Sequence, residues 1–300
     1  MDEIALVKLQ PLMRLSEGNP KVVIALLDGP VDISHPNLSH ETILSLPGKV
    51  DPNCSGERST ACEHGTSVAS ILSAKRGSAA PAICPKCTLL VRPVFSEYPR
   101  WSEQIPRTTL TELAHAIIDC IHAGARIINI SAAAERPSAA MQRIMEEALD
   151  YACQEGVLVF AAAGNQGTLG SSLITRHSWV VSVSACDSRG EPLGFSNLGA
   201  SISRNGLMAP GIDITTLSVD GRNSKFSGTS AAVPFVSGTA ALLWSVFPQT
   251  DANSIRFALL SDRTRRARTV VPAVLDALVA LKFLERQHGQ NILTREKTAI

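Results

Sequence analysis

The chain has 300 residues, 45% of them apolar and 18% charged, which is enough to bury a sizeable core and too apolar for a disordered chain. Lysine and arginine number 28 against 27 acids, and a net charge of +1 offers no electrostatic reason to propose nucleic acid or an anionic membrane, so neither is expected as a partner. The amino terminus, Met1-Asp2-Glu3-Ile4, has no basic stretch leading into the apolar core of a signal peptide. No span reaches the ~18 uninterrupted apolar residues of a membrane helix, so a cytoplasmic protein is expected.

From residue 20 to about 280, short β-branched runs alternate with amphipathic helices. That alternation predicts an α/β fold, a mainly parallel sheet flanked by helices in three layers. A single domain is expected over 1–284, with 1–19 as an N-terminal extension and 285–300, where periodicity is lost, as a tail.

The first strand, 21–27 (K-V-V-I-A-L-L), stops at Asp28-Gly29-Pro30 and so delivers an acid at its carboxyl end. Thr109-x-x-Glu112 is a capping box that opens a helix carrying Leu113, Ile117 and Ile121 and ending at Gly124. A strand over 126–130 follows. Ser138 then caps a helix whose Met141, Ile144, Met145, Ala148 and Ala152 form one face, closed by Gly156. Residues 157–163 form a buried strand that runs into the turn Gly164-Asn165-Gln166-Gly167. The carboxyl edge of such a sheet is where ligands bind. Beyond a strand at 179–185, the stretch to Ser224 reads as loop with short antiparallel strands. Gly228-Thr229-Ser230 then leads into 231–246, apolar on all sides, which predicts a buried helix. The basic run 263–268 (R-T-R-R-A-R) reads as a solvated turn.

Seven cysteines stand at 54, 62, 84, 87, 120, 153 and 186. Cys120 and Cys153 fall on helical apolar stripes and read as small core residues. The Cys84-Pro-Lys-Cys87 spacing suits zinc or a redox pair, with Cys54 and Cys62 as two further ligands. It is also open to a disulfide among these four, and unligated thiols are the first expectation. A second C-x-x-C is missing, and no cofactor or metal is assigned.

Hydrolysis of a peptide bond through a serine needs a hydroxyl, a base within reach of it, an acid that orients the base, and donors for the oxyanion. Asp28 ends a buried strand, and His64 opens an apolar helix in E-H-G-T-S-V-A-S-I. Asn165 follows a strand, and Ser230 begins the buried helix. Taken singly, each has an ordinary structural reading as a turn residue or cap. Together, in the order Asp, His, Ser, they match one of the known serine-protease arrangements.

The segments I-A-L-L-D-G-P-V-D, H-G-T-S-V-A-S-I, I-I-N-I-S, V-F-A-A-A-G-N, F-S-N-L-G, M-A-P-G and S-G-T-S-A-A-V-P-F-V-S-G resemble, in order, the blocks of the subtilisin-like serine proteases over roughly residues 20–280. The resemblance implies a subtilisin-like sandwich with Ser230 as nucleophile, His64 as base and later acid, and Asp28 as the residue that fixes the imidazole. It also implies the Asn165 amide and the Ser230 N–H as oxyanion donors. Ser131, Ala132 and Ala133 occupy the family's substrate-binding strand, although the last two differ from its usual Ser-Leu-Gly. There a peptide substrate would pair as an added strand. Asp32, His35 and Pro36 read as loop-fixing residues. His115, His122 and His177 are ordinary.

The chain departs from the family at Ser67 and Phe235, where histidines are common, and at Asn37, where many members have aspartate. The loop 75–84 lacks the acids and amides of the family's calcium loop, so no calcium is expected there. No inhibitory propeptide of the secreted kind is expected in the 27 residues before Asp28.

The tracts D-G-P-V-D-I-S-H-P and A-I-C-P-K-C-T-L-L-V-R-P-V-F resemble the bacterial proteases that mature cyanobactins and related ribosomal peptides. Only 35 residues separate Asp28 from His64, broken by Pro36, Pro47, Gly48, Pro52 and Gly56, which leaves no room for the helical hairpin of the macrocyclising relatives. Leader removal by hydrolysis is therefore expected. The alternatives are a broad intracellular subtilisin and a catalytically silent binding domain of the same shape. The stretch 96–107, with Trp101, is a candidate cleft wall.

Overall fold

The computed structural model describes residues 2–38, 40–51, 54, 59–95, 108–131, 138–261 and 269–289. Two short helices, α1 (Glu3–Leu6) and α2 (Gln10–Leu15), precede strand β1 (Val23–Leu27). Then come β2 (Ile43–Ser45), α3 (Thr60–Ser73), β3 (Thr88–Val91), α4 (Leu110–His122), β4 (Ile127–Ile130), α5 (Ala139–Gln154), β5 (Leu158–Ala162), α6 (Leu173–Arg176) and β6 (Val181–Cys186). The carboxyl part holds α7 (Ala200–Asn205), β7 (Gly206–Pro210), β8 (Ile214–Leu217), β9 (Asn223–Phe226), α8 (Thr229–Val246), α9 (Ala252–Leu260), β10 (Ala273–Val274) and α10 (Ala277–Gln287).

Eight strands form one sheet in the order β10-β7-β6-β5-β4-β1-β3-β2, and every pairing is parallel. The α/β sandwich expected from the alternating pattern is the fold observed. The stretch expected to hold only short antiparallel strands divides. β8 and β9 are an antiparallel hairpin, but β7 joins the main sheet in parallel beside β6. Its Gly206 and Pro210 ends are poor strand formers, so pairing on both sides, with β6 and β10, outweighs local propensity.

α8 lies against β4, β5, β6 and β7 and is buried along nearly its whole length. Its composition is apolar enough for a membrane span, but that surface goes into the protein core. α4 and α5 pack on each other and on β1 and β5. The chain moves in one direction across the sheet through β2-α3-β3, β3-α4-β4 and β4-α5-β5, so right-handed crossovers would put all three helices on one face. Instead α3 packs against α8. This exception carries His64 to the side of the sheet that holds Ser230.

The N-terminal extension is part of the core. Val7, Leu9 and Leu12 are fully buried, Ala277 N–H donates to Val7 O at 3.0 Å, and Lys8 pairs with Asp276. Arg76 fastens the segment, with its guanidinium donating to Met13 O, Ser16 O at 3.0 Å, Ala82 O at 3.3 Å and Ile83 O at 2.9 Å. One cation thus gathers four carbonyls from two stretches of chain, in the loop where the family carries calcium ligands.

Several local expectations need correction. Cys120 is buried, but Cys153 is exposed, one position round α5 from the face of Met145, Leu149 and Ala152. The Thr109 cap accepts from Glu112 N–H at 3.1 Å, yet the Glu112 carboxylate turns to the buried Arg92 at 3.0 Å and to Lys49, so only half of the capping box forms. A charge-assisted pair with a buried guanidinium outweighs a return bond to a neutral N–H. α3 starts at Thr60, capped by Ser59, which puts His64 in its second turn rather than at its start. α10 runs on to Gln287, past the expected boundary at 284, with Glu285 buried. Ala132, Ala133, the 96–107 stretch and the basic run 263–268 lie outside the described residues.

Candidate active site

Asp28 follows β1 directly and is fully buried. Its Oδ1 accepts from Gly29 N–H at 2.6 Å and lies 2.6 Å from His64 Nδ1. The second oxygen, Oδ2, is buried with no hydrogen-bond partner among the described residues, so both donors bear on one atom.

Two glycines allow this approach. A Cβ on Gly29 would stand 2.0 Å from Ala61 O, and one on Gly65 would stand 2.4 Å from Pro30 O. The turn after β1 and the helix carrying the histidine therefore touch backbone to backbone, which only glycine permits. Thr66 Oγ1 adds a bond from Asp32 N–H at 2.9 Å, while Asp32 Oδ1 accepts from Ser34 and His35 Nδ1 accepts from Asn37 N–H. Asp32 and His35 thus shape the loop.

The His64 side chain is 29% exposed, with one edge against the Phe226 ring at 5.1 Å in a T-shaped contact. Burial alone would push the imidazole below its ordinary pKa. The charge of Asp28 and the hydrogen bond to it more than reverse this and hold it above 6.5. With the Asp28 carboxylate at Nδ1, Nε2 is free to take a proton from an alcohol.

Ser230 lies in the first turn of α8, where backbone N–H groups have no intrahelical acceptor and the helix dipole favours negative charge. Its hydroxyl donates to Ser131 O at 3.3 Å, not to the imidazole. Ser131 N–H in turn donates to Leu27 O at 3.4 Å, next to Asp28, so the carbonyl that holds the serine is tied to the strand that carries the acid. Asn165 stands after β5 with its Oδ1 accepting from both the N–H and the hydroxyl of Thr229, each at 2.9 Å. Those two bonds commit Oδ1, which leaves Nδ2 as the end able to donate to an oxyanion.

Sequence reasoning did not single out three supporting residues. Phe226 packs on the imidazole, and Thr229 pins Asn165. Asn197 holds the 163–168 turn, accepting from Gln166 N–H and Thr168 N–H and donating to Ala163 O at 3.0 Å. Asn197 sits in the F-S-N-L-G block and Thr229 in S-G-T-S, so their motifs were visible but not their work. Phe226 carried no motif.

Cys54 and Cys62 are joined in a disulfide, which removes them as zinc ligands for Cys84 and Cys87. Among the described residues no group of three or more histidine, cysteine or acidic side chains is arranged for a metal. Cys84 and Cys87 are buried and hydrogen-bond as a pair, which raises the thiol pKa of Cys84 and lowers that of Cys87.

A sequence profile of the subtilase family matches residues 19–277. The chain belongs to the subtilase family. Among curated proteins it is 31% identical over 236 residues to the thermophilic serine proteinase of Bacillus sp. (strain AK1), covering 77% of this chain and 54% of that protein. It is 28% identical over 249 residues to subtilisin amylosacchariticus of Bacillus subtilis subsp. amylosacchariticus, covering 81% of this chain and 60% of that one. The chain thus spans only part of the length of these curated relatives. Among solved structures it is similar to a serine-to-alanine variant of the protease domain of PatA (34% identity, TM-score 0.80, 90% of this chain and 97% of the other). It is also similar to the prenylagaramide maturation protease PagA (32%, 0.78, 92% and 98%). A lanthipeptide protease at 23% identity shares the fold.

Proposed function

We infer that this subtilase is a serine endopeptidase that removes a leader from a ribosomally made precursor peptide. The observation that carries the enzymatic part is the 2.6 Å bond between buried Asp28 and His64, on the sheet edge where Ser230 opens α8. In this reading His64 Nε2 takes the proton of Ser230 as Oγ attacks the scissile carbonyl. The Asn165 amide and Ser230 N–H receive the oxyanion, and one such donor contributes ~3 kcal/mol to the transition state. His64 returns the proton to the leaving amine, and water then repeats the sequence on the acyl-enzyme.

The substrate class rests on the likeness to PatA and PagA, the patellamide and prenylagaramide maturation proteases, over nearly their full compared chains. Hydrolysis rather than ring closure is supported by the connection from Asp28 to His64. Between Asp28 and the start of α3 at Thr60, its described residues hold a 3-10 turn at His40–Thr42 and β2, with no helical hairpin among them to exclude water from the acyl-enzyme.

The test is fluorophosphonate labelling together with mass-spectrometric mapping of cuts in casein and in linear precursor peptides. Labelling lost in Ser230→Ala, with a confined set of cuts in precursors, is the expected result. Efficient casein turnover would point to a broad subtilisin, and no labelling at neutral pH to a silent binding domain.

A further inference from the structure

His64, Ser67 and Ser70 follow one another at three-residue steps in α3, which places them on one side of the helix. The fully buried Thr216 of β8 donates its hydroxyl to Ser67 Oγ at 3.2 Å and lies 3.0 Å from Ser224 Oγ on β9. Its one proton goes to Ser67, so Ser224 donates the second bond. Leu217 N–H donates to Ser70 Oγ at 3.1 Å, and Ser70 donates to Ser67 O at 2.7 Å. A ladder of hydroxyls thus fastens both strands of the hairpin to the helix that carries the base. Ser67, at its foot, is one of the chain's departures from the family pattern.

The period of a strand carries this fastening into the site. Ser224 and Phe226 are two residues apart in β9 and face inward, while Asn223 and Lys225 are exposed. Thr216 and Ser224 stand opposite each other in the hairpin, as do Ile214 and Phe226. Ser224 therefore meets α3 through Thr216 and Ser67, and Phe226 meets it one step on at His64, the two rings edge to face at 5.1 Å and 84°. Beyond Phe226 the chain is pinned again. Asp213 N–H donates to Ser227 Oγ and Gly228 N–H to Gly211 O, each at 2.9 Å, before Ser230 enters the first turn of α8.

Among the described residues the imidazole has one hydrogen bond, to Asp28 at Nδ1, and its side chain is 29% exposed. The Ser230 hydroxyl is bonded elsewhere, to Ser131 O. A single bond at one ring nitrogen is a pivot about which the ring can swing, and the contact with Phe226 is the second constraint on it.

We propose that Phe226 is a positioning residue for proton transfer: backed by the Ser67–Thr216–Ser224 ladder, it keeps the His64 imidazole aimed at Ser230 through Nε2 while Nδ1 stays on Asp28. This rests on the endopeptidase reading and adds to it a residue that acts through the base. The cost of losing the ring falls on every reaction in which His64 deprotonates Ser230, whatever occupies the cleft.

The test is the rate at which a small alkyl fluorophosphonate labels Ser230, a reaction that needs the base and no peptide contact. Phe226→Ala should slow labelling by about tenfold, and Phe226→Tyr should restore it to within about twofold of the wild type. Ser67→Ala should slow it by about threefold in the wild type and by much less in Phe226→Ala, because the ladder acts through the ring. In the proton NMR spectrum the low-field signal of the Asp28-bound Nδ1–H should broaden on loss of the ring and sharpen again with tyrosine. Where Phe226→Ala does not fold, Ser67→Ala gives both readouts. Unaltered labelling with slower peptide cleavage means that the ring touches substrate alone and overturns the proposal, as does an equal Ser67→Ala loss in both backgrounds. Normal labelling of every variant with an unchanged Nδ1–H signal rejects the positioning only. Absent labelling of the wild type rejects the endopeptidase reading and the proposal with it.

Discussion

Thr229 gives both its N–H and its hydroxyl to the side-chain oxygen of Asn165, each at 2.9 Å, and the same hydroxyl accepts from Gly164 N–H at 3.2 Å. A rotatable amide is thereby locked with its donor end outward by the residue next to Ser230. Asn165→Leu should lower kcat by about 10²–10³-fold with little change in KM, because in the proposed mechanism the donor acts only on the developing oxyanion. Thr229→Val, which keeps the N–H bond but loses the hydroxyl, should lower kcat by about tenfold, and Thr229→Ser should restore it. Steady-state kinetics on a mapped substrate peptide check this, and a change confined to KM would contradict it.

The pH profile follows from the pair Asp28–His64. Burial pulls the imidazole down, and the carboxylate, by charge and hydrogen bond, lifts it above 6.5. A general base must be neutral, so the acid limb of kcat/KM should lie above 6.5. Asp28→Asn removes both lifting influences and leaves the burial, so the limb should move below 6.5 while the rate falls by about 10⁴-fold. The linkage to stability has the opposite dependence on pH. A histidine raised in the folded state stabilises fully below its unfolded pKa and loses that contribution as pH rises through the folded value. Paired pH–rate and pH–melting curves of the wild type and variant measure both.

Arg76 binds Met13 O, Ser16 O, Ala82 O and Ile83 O with one side chain. Arg76→Met should cost about 2 kcal/mol, the value of charge-assisted bonds discounted for partial exposure, and lower Tm by about 4–8 °C. Proteolysis between 13 and 19 should become faster. A chelator should leave the wild-type Tm where it is, because the guanidinium supplies the positive charge at this loop. A fall in Tm on chelation would contradict this role.

The free thiols should divide by accessibility to a reagent. Cys153 is exposed, whereas Cys84, Cys87, Cys120 and Cys186 are buried, and burial pushes Cys120 and Cys186 up to about 12. A thiol reagent on the native protein should count Cys153 alone. Unfolding without reductant should raise the count to the five free cysteines, and reductant should bring it to all seven as the Cys54–Cys62 bond opens.

Much of the site could be read from local chemistry. An apolar run ending in Asp-Gly-Pro marks β1 and the acid after it, Ser138 caps α5, and an all-round apolar segment after Gly228 is the buried α8. These features depend on residues within a few positions of one another. β7 escaped because its glycine and proline ends argue against a strand, and Cys153 because one step round a helix separates core from solvent. Thr229, Asn197 and Phe226 were passed over because their partners are distant in sequence, and a hydrogen bond from Thr229 to Asn165 leaves no mark on the residues between them.

The sequence by itself determined the elements, the family and the residue types available for chemistry, since periodicity, caps and motif order are short-range properties. Only the tertiary structure decided where those residues meet. α3 packs on α8 instead of beside α4 and α5, Gly29 and Gly65 let two backbones touch so that His64 reaches Asp28, and Ser230 rests on Ser131 O. Crossover hand, close approach and hydroxyl direction depend on how distant surfaces pack, and that energy is summed over contacts between segments far apart in the chain.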